Sequence, residues 1–380
     1  MEFVQPILVH KIESMQTSER VPGFDLARAY AILGMFIVNF NVVFGNYTDT
    51  SLGARFLALF SGNSSSLFVM LAGMGVSFST RTKINTIDER RLIRHRLLRR
   101  SWLLFALGLL LYLWWPADIL HFYGAYMHIA ALLIFVDRRY YLLAAALAIV
   151  VFHVLLTVIP YETGWDFQTL SYIDFWTWKG FLRNTFYNGW NPVFPWFAFF
   201  AIGMYLGKLN WQDTAVRKKI FWVGLGTYVF IYVLQSLAES SQWDADLKTY
   251  LLADYLPPFL PFMLGGIGLG LVILVVCIVL GERLANTRFL HAMVMTGQMT
   301  LTHYISHVTL GIIAFSLIFE GSFPLEWVKG RVFSPWLIFL FSLSYFLLSI
   351  GFSILWSRRF KHGPFELLLR RYTVSKSKQN

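Results

Sequence analysis

Between residues 25 and 356 the chain is a succession of apolar runs separated by charged or turn-forming clusters, and this feature dominates everything it can fold into. A bilayer core about 30 Å thick is crossed by roughly 20 mostly apolar helical residues. Ten runs approach or meet that length, near 25–45, 56–79, 101–115, 118–136, 140–159, 192–209, 219–237, 257–280, 299–318 and 335–356. The third is short, and Pro116 separates it from the fourth by a tight turn. Only 14% of the residues are charged, against roughly 25% in soluble domains. The expected fold is therefore all-α: a polytopic integral membrane bundle of about ten transmembrane helices. It divides into an N-terminal segment (1–24), one transmembrane domain (25–356) and a basic C-terminal tail (357–380).

Positive charge sets the expected orientation. With the N-terminus in the cytoplasm, 25 of the 32 Lys and Arg fall inside, including Lys11, Arg20 and the run "RTKINTIDERRLIRHRLLRR". Six fall outside, and Arg28 lies within the first span. Both termini are then cytoplasmic. The outer loops lean acidic, with Glu162, Asp166, Asp174, Asp254 and Glu326 among them. The net charge of +11 reflects this topology and anionic lipid heads, so no nucleic-acid partner is expected. The first 24 residues lack a signal-peptide pattern, which makes the first span an expected uncleaved anchor. The lone Cys277 permits no intrachain disulfide and suits buried packing. The outer stretch 160–191, rich in aromatics, suits the membrane interface.

Polar side chains inside spans are costly and usually face a cavity or a partner. At 100° per residue, Asp25, Arg28 and Asn39 share one face of the first span, with Asn39 roughly 16 Å deeper than Arg28. In the fourth span Asp118, His121, Ala125 and His128 form a stripe, with Asp118 expected near the outer surface and His128 about 15 Å further in. The ninth span, "TGQMTLTHYISHVTLG", aligns Thr300, His303, His307 and Gly311. Alone, each histidine reads equally as a structural hydrogen bonder, and Asp25 with Arg28 as a local ion pair. Together the stripes predict a shared polar cavity. "HYISH" lacks the glutamate of H-E-x-x-H, and no further ligand completes a metal site, so none is expected. There is no phosphate-binding loop, hydrolase elbow or dinucleotide-binding glycine pattern. Small residues from Ser64 to Gly75 permit close helix approach.

The segments "FDLARAYAILGMFIVNF", "SSSLFVMLAGMG", "DILHFYGAYMHIAAL", "NGWNPVFPWFAFFAIGMYLG", "GQMTLTHYISHV" and "GPFELLLRRYT" occur in the order expected of the YeiB-like bacterial membrane proteins, which the chain resembles from about Asp25 to Thr373. That family is similar to a wider group of transmembrane acyltransferases, including the lysosomal heparan-glucosaminide N-acetyltransferase and bacterial sugar O-acyltransferases. The resemblance implies a location in the bacterial cytoplasmic membrane. It also implies a cytoplasmic acyl-CoA whose acyl group, acetyl in the first instance, passes through the bundle to an extracytoplasmic glycan or lipid-linked acceptor. A histidine would act as general base or transient acyl carrier.

On this basis His307 is the expected base, within a motif, Tyr304 to His307, similar to the group's Tyr-x-x-His, with His303 or His128 assisting. Asn39 would donate to a carbonyl oxygen, Asp25 and Arg28 would shape the inner mouth, and Asp118, His121 and Asn191 would contact substrate. Arg94, Arg99 and Arg100, among the basic residues from Arg90 onward, would hold the CoA phosphates, although the positive-inside bias accounts for them equally. The sugar O-acyltransferases carry Arg-Gly in the first span and a histidine eleven residues after the arginine; here those positions read Arg28, Ala29 and Asn39. The loop from Asn46 to Arg55, where the lysosomal enzyme has its histidine, contains none. A transporter of a small or lipid-like substrate and a non-catalytic envelope protein remain alternatives, and a homo-oligomer stays open.

Overall fold

The computed structural model describes residues 21–46, 48–78, 80, 86–324 and 331–373. Lys11, Arg20, Glu326 and the first 20 residues lie outside the described residues. Among the described residues the regular structure is helical apart from one small antiparallel ribbon.

Helix α1 (Pro22–Phe44) begins with proline in its first turn, where a missing N–H costs nothing, and stands at the centre of the bundle. Helices α2 (Leu52–Ala58) and α3 (Asn63–Phe78) follow. α4 (Ile87–Tyr112) starts at a capping box, in which Thr86 Oγ1 accepts from Glu89 N and the Glu89 carboxylate accepts from Thr86 N. α5 (Leu120–Leu133) returns alongside it, and α6 (Arg139–Val158) leads to the segment 159–192. That segment holds strands β1 (Trp165–Asp166) and β2 (Ser171–Tyr172), helix α7 (Trp178–Arg183) and a π-helical turn, Asn184–Asn188. Next come α8 (Val193–Leu206), α9 (Thr214–Ser240), α10 (Ala245–Leu252), α11 (Leu260–Arg283) and α12 (Arg288–Gly297). α13 (Thr300–Glu320) carries two π turns, one of them at His307–Gly311; α14 (Pro335–Ser357) and the short α15 (Pro364–Thr373) complete the fold.

Among the described residues seven helices are long and apolar enough to cross a membrane: α1, α2 joined to α3, α6, α9, α11, α13 and α14. The exposed faces of α6 (Leu143, Leu147, Val150, Val154) and α9 (Trp222, Val229, Phe230, Val233) are apolar, as a lipid-facing surface requires. The three other expected spans correspond to α4, α5 and α8. α4 begins within the charged run rather than at residue 101, and α5 and α8 have 14 residues each, about 21 Å of rise.

Packing around α1 is close. It contacts α11, α12, α14 and α3, while α3 lies on α8. At that second crossing the helices almost touch by backbone: a Cβ on Gly73 would meet the Phe200 carbonyl oxygen at 2.0 Å, and one on Gly203 the Met70 carbonyl oxygen at 2.0 Å. The small residues of α3 are used for approach, as expected, with Gly75 the exception, having nothing within 4 Å of a Cβ.

The segment between α6 and α8 is folded by its own hydrogen bonds. Asn188 Nδ2 donates to the carbonyls of Tyr161 and Thr163, and its Oδ1 accepts from Tyr172 OH. Arg183 reaches both Asp174 carboxylate oxygens and Tyr172 OH. Trp176, Trp178 and Ile173 remain exposed, whereas Phe175 turns inward and stacks on Tyr112 of α4 at 3.7 Å.

Candidate functional site

The stripes meet where the tip of the α4–α5 hairpin touches α13. Trp114 Nε1 donates to the Val308 carbonyl at 2.7 Å, and Ile119 N donates to Tyr304 OH at 3.1 Å. Asp118 is fully buried at the level of Tyr304. The reason is local: a buried carboxylate must be satisfied, and the hairpin tip brings three donors to it. Tyr304 OH reaches Oδ1 at 3.2 Å, while His121 N at 3.0 Å and Nδ1 at 3.1 Å reach Oδ2.

The hydrogen bonds fix the histidine tautomers, because a carbonyl or carboxylate can only accept. His307 Nδ1 lies 3.1 Å from the His303 carbonyl and must carry the proton, leaving Nε2 as acceptor. That Nε2 is taken by Asn39 Nδ2 at 2.8 Å. Ser353 Oγ donates to the Ser349 carbonyl, so it accepts from His303 Nε2 at 2.8 Å. His121 is the contrasting case. Its Nδ1–H points at Asp118, and its buried Nε2 meets no hydrogen-bonding partner among the described residues. Tyr112, Phe122 and Phe175 wall the ring.

One connected set therefore runs from Asn39 through His307, whose ring lies 5.4 Å from that of Tyr304, to Asp118 and His121. His303 joins it through its carbonyl. His128 does not: its Nδ1 bonds Ser101 Oγ and the Gly124 carbonyl inside the α4–α5 hairpin, under Trp102. Asn191 contributes its backbone carbonyl to Tyr126 OH. Gly108 of α4 makes the tip possible, since a Cβ there would lie 2.1 Å from His121 N and 2.6 Å from Asp118 Oδ2.

At the other end of α1, Asp25 pairs with Arg28 at 2.5 Å. Arg100 of α4, an exposed residue, lies within electrostatic reach of Arg28 and of Glu366. Of the other expected donor-binding arginines, Arg94 ties the hairpin through Nε to the Ala131 carbonyl, and Arg99 lies over the Tyr372 ring of α15. Among the described residues no group of three His, Cys, Asp or Glu could hold a metal ion.

Sequence reasoning passed over three participants. Tyr304 stands in the quoted Tyr-x-x-His, but its link to Asp118 joins positions 186 apart. Ser353 offered no signal beyond being polar in an apolar helix. Glu366, in "GPFELLLRRYT", accepts from Leu301 N at 2.7 Å, Thr302 N at 3.1 Å and Thr302 Oγ1 at 2.6 Å, thereby capping the start of α13. Met299, at the cap position itself, supplies no side-chain bond.

A polytopic helical bundle with a buried, connected set of histidine, tyrosine and carboxylate groups defines a multi-pass membrane protein with a polar core. Residues 20–241, more than half of the chain, match the family model described as heparan-alpha-glucosaminide N-acetyltransferase, catalytic, and the chain belongs to that family. Residues 205–376 match a second model, described as a protein of unknown function (DUF418), the YeiB-like family that the motifs resemble. No curated protein matches the chain.

Proposed function

We propose that the protein is a transmembrane acyltransferase of the bacterial cytoplasmic membrane. It takes an acyl group, acetyl in the first instance, from cytoplasmic acyl-CoA and passes it to a hydroxyl or amine of an extracytoplasmic glycan or lipid-linked acceptor. The observation that carries this reading, beside the family, is a pair of polar groupings on α1 in an otherwise apolar bundle. One has arginines at one end of α1, and the other, eleven residues further along, is Asn39 bonded to His307. With both termini cytoplasmic, Arg28 and Arg100 form the donor's mouth. Guanidinium groups there suit phosphate oxygens. Arg100 stands eight residues before Gly108, about 12 Å along α4, which a pantetheine arm spans to bring its thioester to the hairpin tip.

Sealed proteoliposomes holding chitosan oligosaccharides, which offer both amines and hydroxyls, test the reaction. Labelled acetyl-CoA presented to the cytoplasmic face is expected to label the enclosed sugar. Label left entirely on CoA would speak against transfer. Arg100→Gln is expected to raise the half-saturating acetyl-CoA concentration roughly tenfold, the worth of one charge-assisted contact, with the melting temperature of the free protein unchanged. An unchanged half-saturation would remove Arg100 from the donor mouth.

A further inference from the structure

We propose that His121, held by Asp118, is the general base of the transfer, and that His307 is a positioning residue. This rests on the acyltransferase reading and deepens it by assigning the proton's route. The assignment comes from counting lone pairs. A base needs an sp² nitrogen lone pair that is free to take a proton and a partner that stabilises the resulting cation. His307 fails the first condition, since Asn39 occupies its Nε2 and the His303 carbonyl holds its Nδ1–H. His303 donates through Nε2 to Ser353 and has no carboxylate hydrogen-bonded to its ring among the described residues. His121 meets both conditions: Asp118 takes its Nδ1–H and would stabilise the imidazolium, while Nε2 is unpartnered. Asp118 is itself held by Tyr304 OH and His121 N, so the dyad cannot turn freely.

The step balances without any further reagent. His121 Nε2 removes the proton of the acceptor hydroxyl or amine as its oxygen or nitrogen attacks the thioester carbonyl, forming the new C–O or C–N bond. The tetrahedral centre then collapses, the C–S bond breaks, and its electron pair leaves on sulfur. The His121 imidazolium returns its proton to the thiolate, giving CoA–SH and a neutral imidazole. Phe175, from the segment between α6 and α8, is one wall of the His121 ring. With both termini cytoplasmic, as proposed above, this contact would put the base beside the segment that an extracytoplasmic acceptor meets first.

Cleavage of acetyl-CoA, followed as released thiol in the chitosan-loaded proteoliposomes, separates the possibilities when each variant's stabilisation by acetyl-CoA is measured alongside. His121→Asn is expected to lose roughly 10²- to 10⁴-fold in turnover while keeping the ligand-induced rise in melting temperature. Asp118→Asn tests the positioning partner and guards against a misfolded first variant. The titratable groups around His121 are Asp118 and, from neighbouring elements, Tyr112 and Tyr304. Losing the carboxylate leaves the imidazolium unsupported, so Asp118→Asn should lower kcat while leaving the KM for acetyl-CoA unchanged, a split that a misfolded protein does not produce. His307→Gln should slow turnover less than His121→Asn. Variants at His121 that cleave as fast as the wild type would overturn the assignment and leave the acyltransferase reading intact. Wild-type protein that cleaves no acetyl-CoA would overturn that reading, and the assignment with it.

Discussion

Gly108→Ala is expected to lower the melting temperature by several degrees and to remove acyl transfer. The added Cβ would sit 2.1 Å from His121 N, 2.6 Å from Asp118 Oδ2 and 2.8 Å from His121 Cα, and two of these three neighbours are backbone atoms that cannot swing aside. α4 and α5 must then separate, at a cost of about 1–3 kcal/mol for an overpacked core. The displacement falls on the residues that hold Asp118 against Tyr304. Gly75→Ala is the matched control: it lies in the last turn of α3 with nothing within 4 Å of the new methyl, and helix propensity predicts a gain of at most about 0.5–1 kcal/mol. Thermal denaturation of the two variants, with transfer measured on each, checks both halves. Equal stabilities would show that the hairpin contact is looser than described.

Glu366→Ala has the second large effect. Removing the carboxylate leaves Leu301 N, Thr302 N and Thr302 Oγ1 without their acceptor at the start of the helix that carries His303 and His307. Loss of a helix cap together with stranded buried donors is worth about 2–4 kcal/mol. Glu366→Gln behaves differently. Burial, the largest influence on this group, raises its pKa above the ordinary carboxylate value despite the hydrogen bonds from Thr302 that lower it. The folded state therefore binds the proton more tightly than the unfolded chain, and Glu366 makes stability fall as pH rises from the unfolded pKa to the raised folded one. Glutamine cannot ionise, so Glu366→Gln should abolish that slope and be no less stable than wild type at neutral pH. Melting temperatures of the three proteins across acidic to neutral pH give the comparison. A wild-type protein that gains stability over that rise in pH, with Glu366→Gln flat, would reverse the sign and contradict the account.

What could be read from the sequence divides along physical lines. Helix existence follows from composition and length, so α1, α6, α9, α11, α13 and α14 lie close to the expected runs. The hairpin was less legible because hydropathy sees residue type and not depth. Asp118 after Pro116 reads as an outer turn, and its composition does not show that three hydrogen bonds bury the carboxylate there. Angular periodicity put Asn39 and His307 on the polar stripes of their helices, and in the fold they bond across 268 positions. It could not say which histidine keeps a free lone pair. That depends on carbonyls, on Ser353 and on the π turn beginning at His307, a local irregularity that a uniform 100° rotation cannot anticipate. The His128 stripe failed for a related reason: once α4 packs beside α5, Ser101 and Trp102 claim that ring. Glu366 shows the same limit, since a carboxylate near a chain end reveals nothing of the helix N-terminus it will meet.

The central claim is that a cytoplasmic acyl donor binds at the arginine-lined mouth beside α1, and the most direct measurement is the melting temperature of the detergent-purified protein against rising CoA, acetyl-CoA and longer acyl-CoAs. A ligand that binds only the folded state stabilises it by mass action, about 2.7 kcal/mol at a hundred times its dissociation constant. The account predicts a saturable rise with acetyl-CoA that requires higher ligand in Arg100→Gln. No rise with any of these donors at millimolar concentration would contradict it.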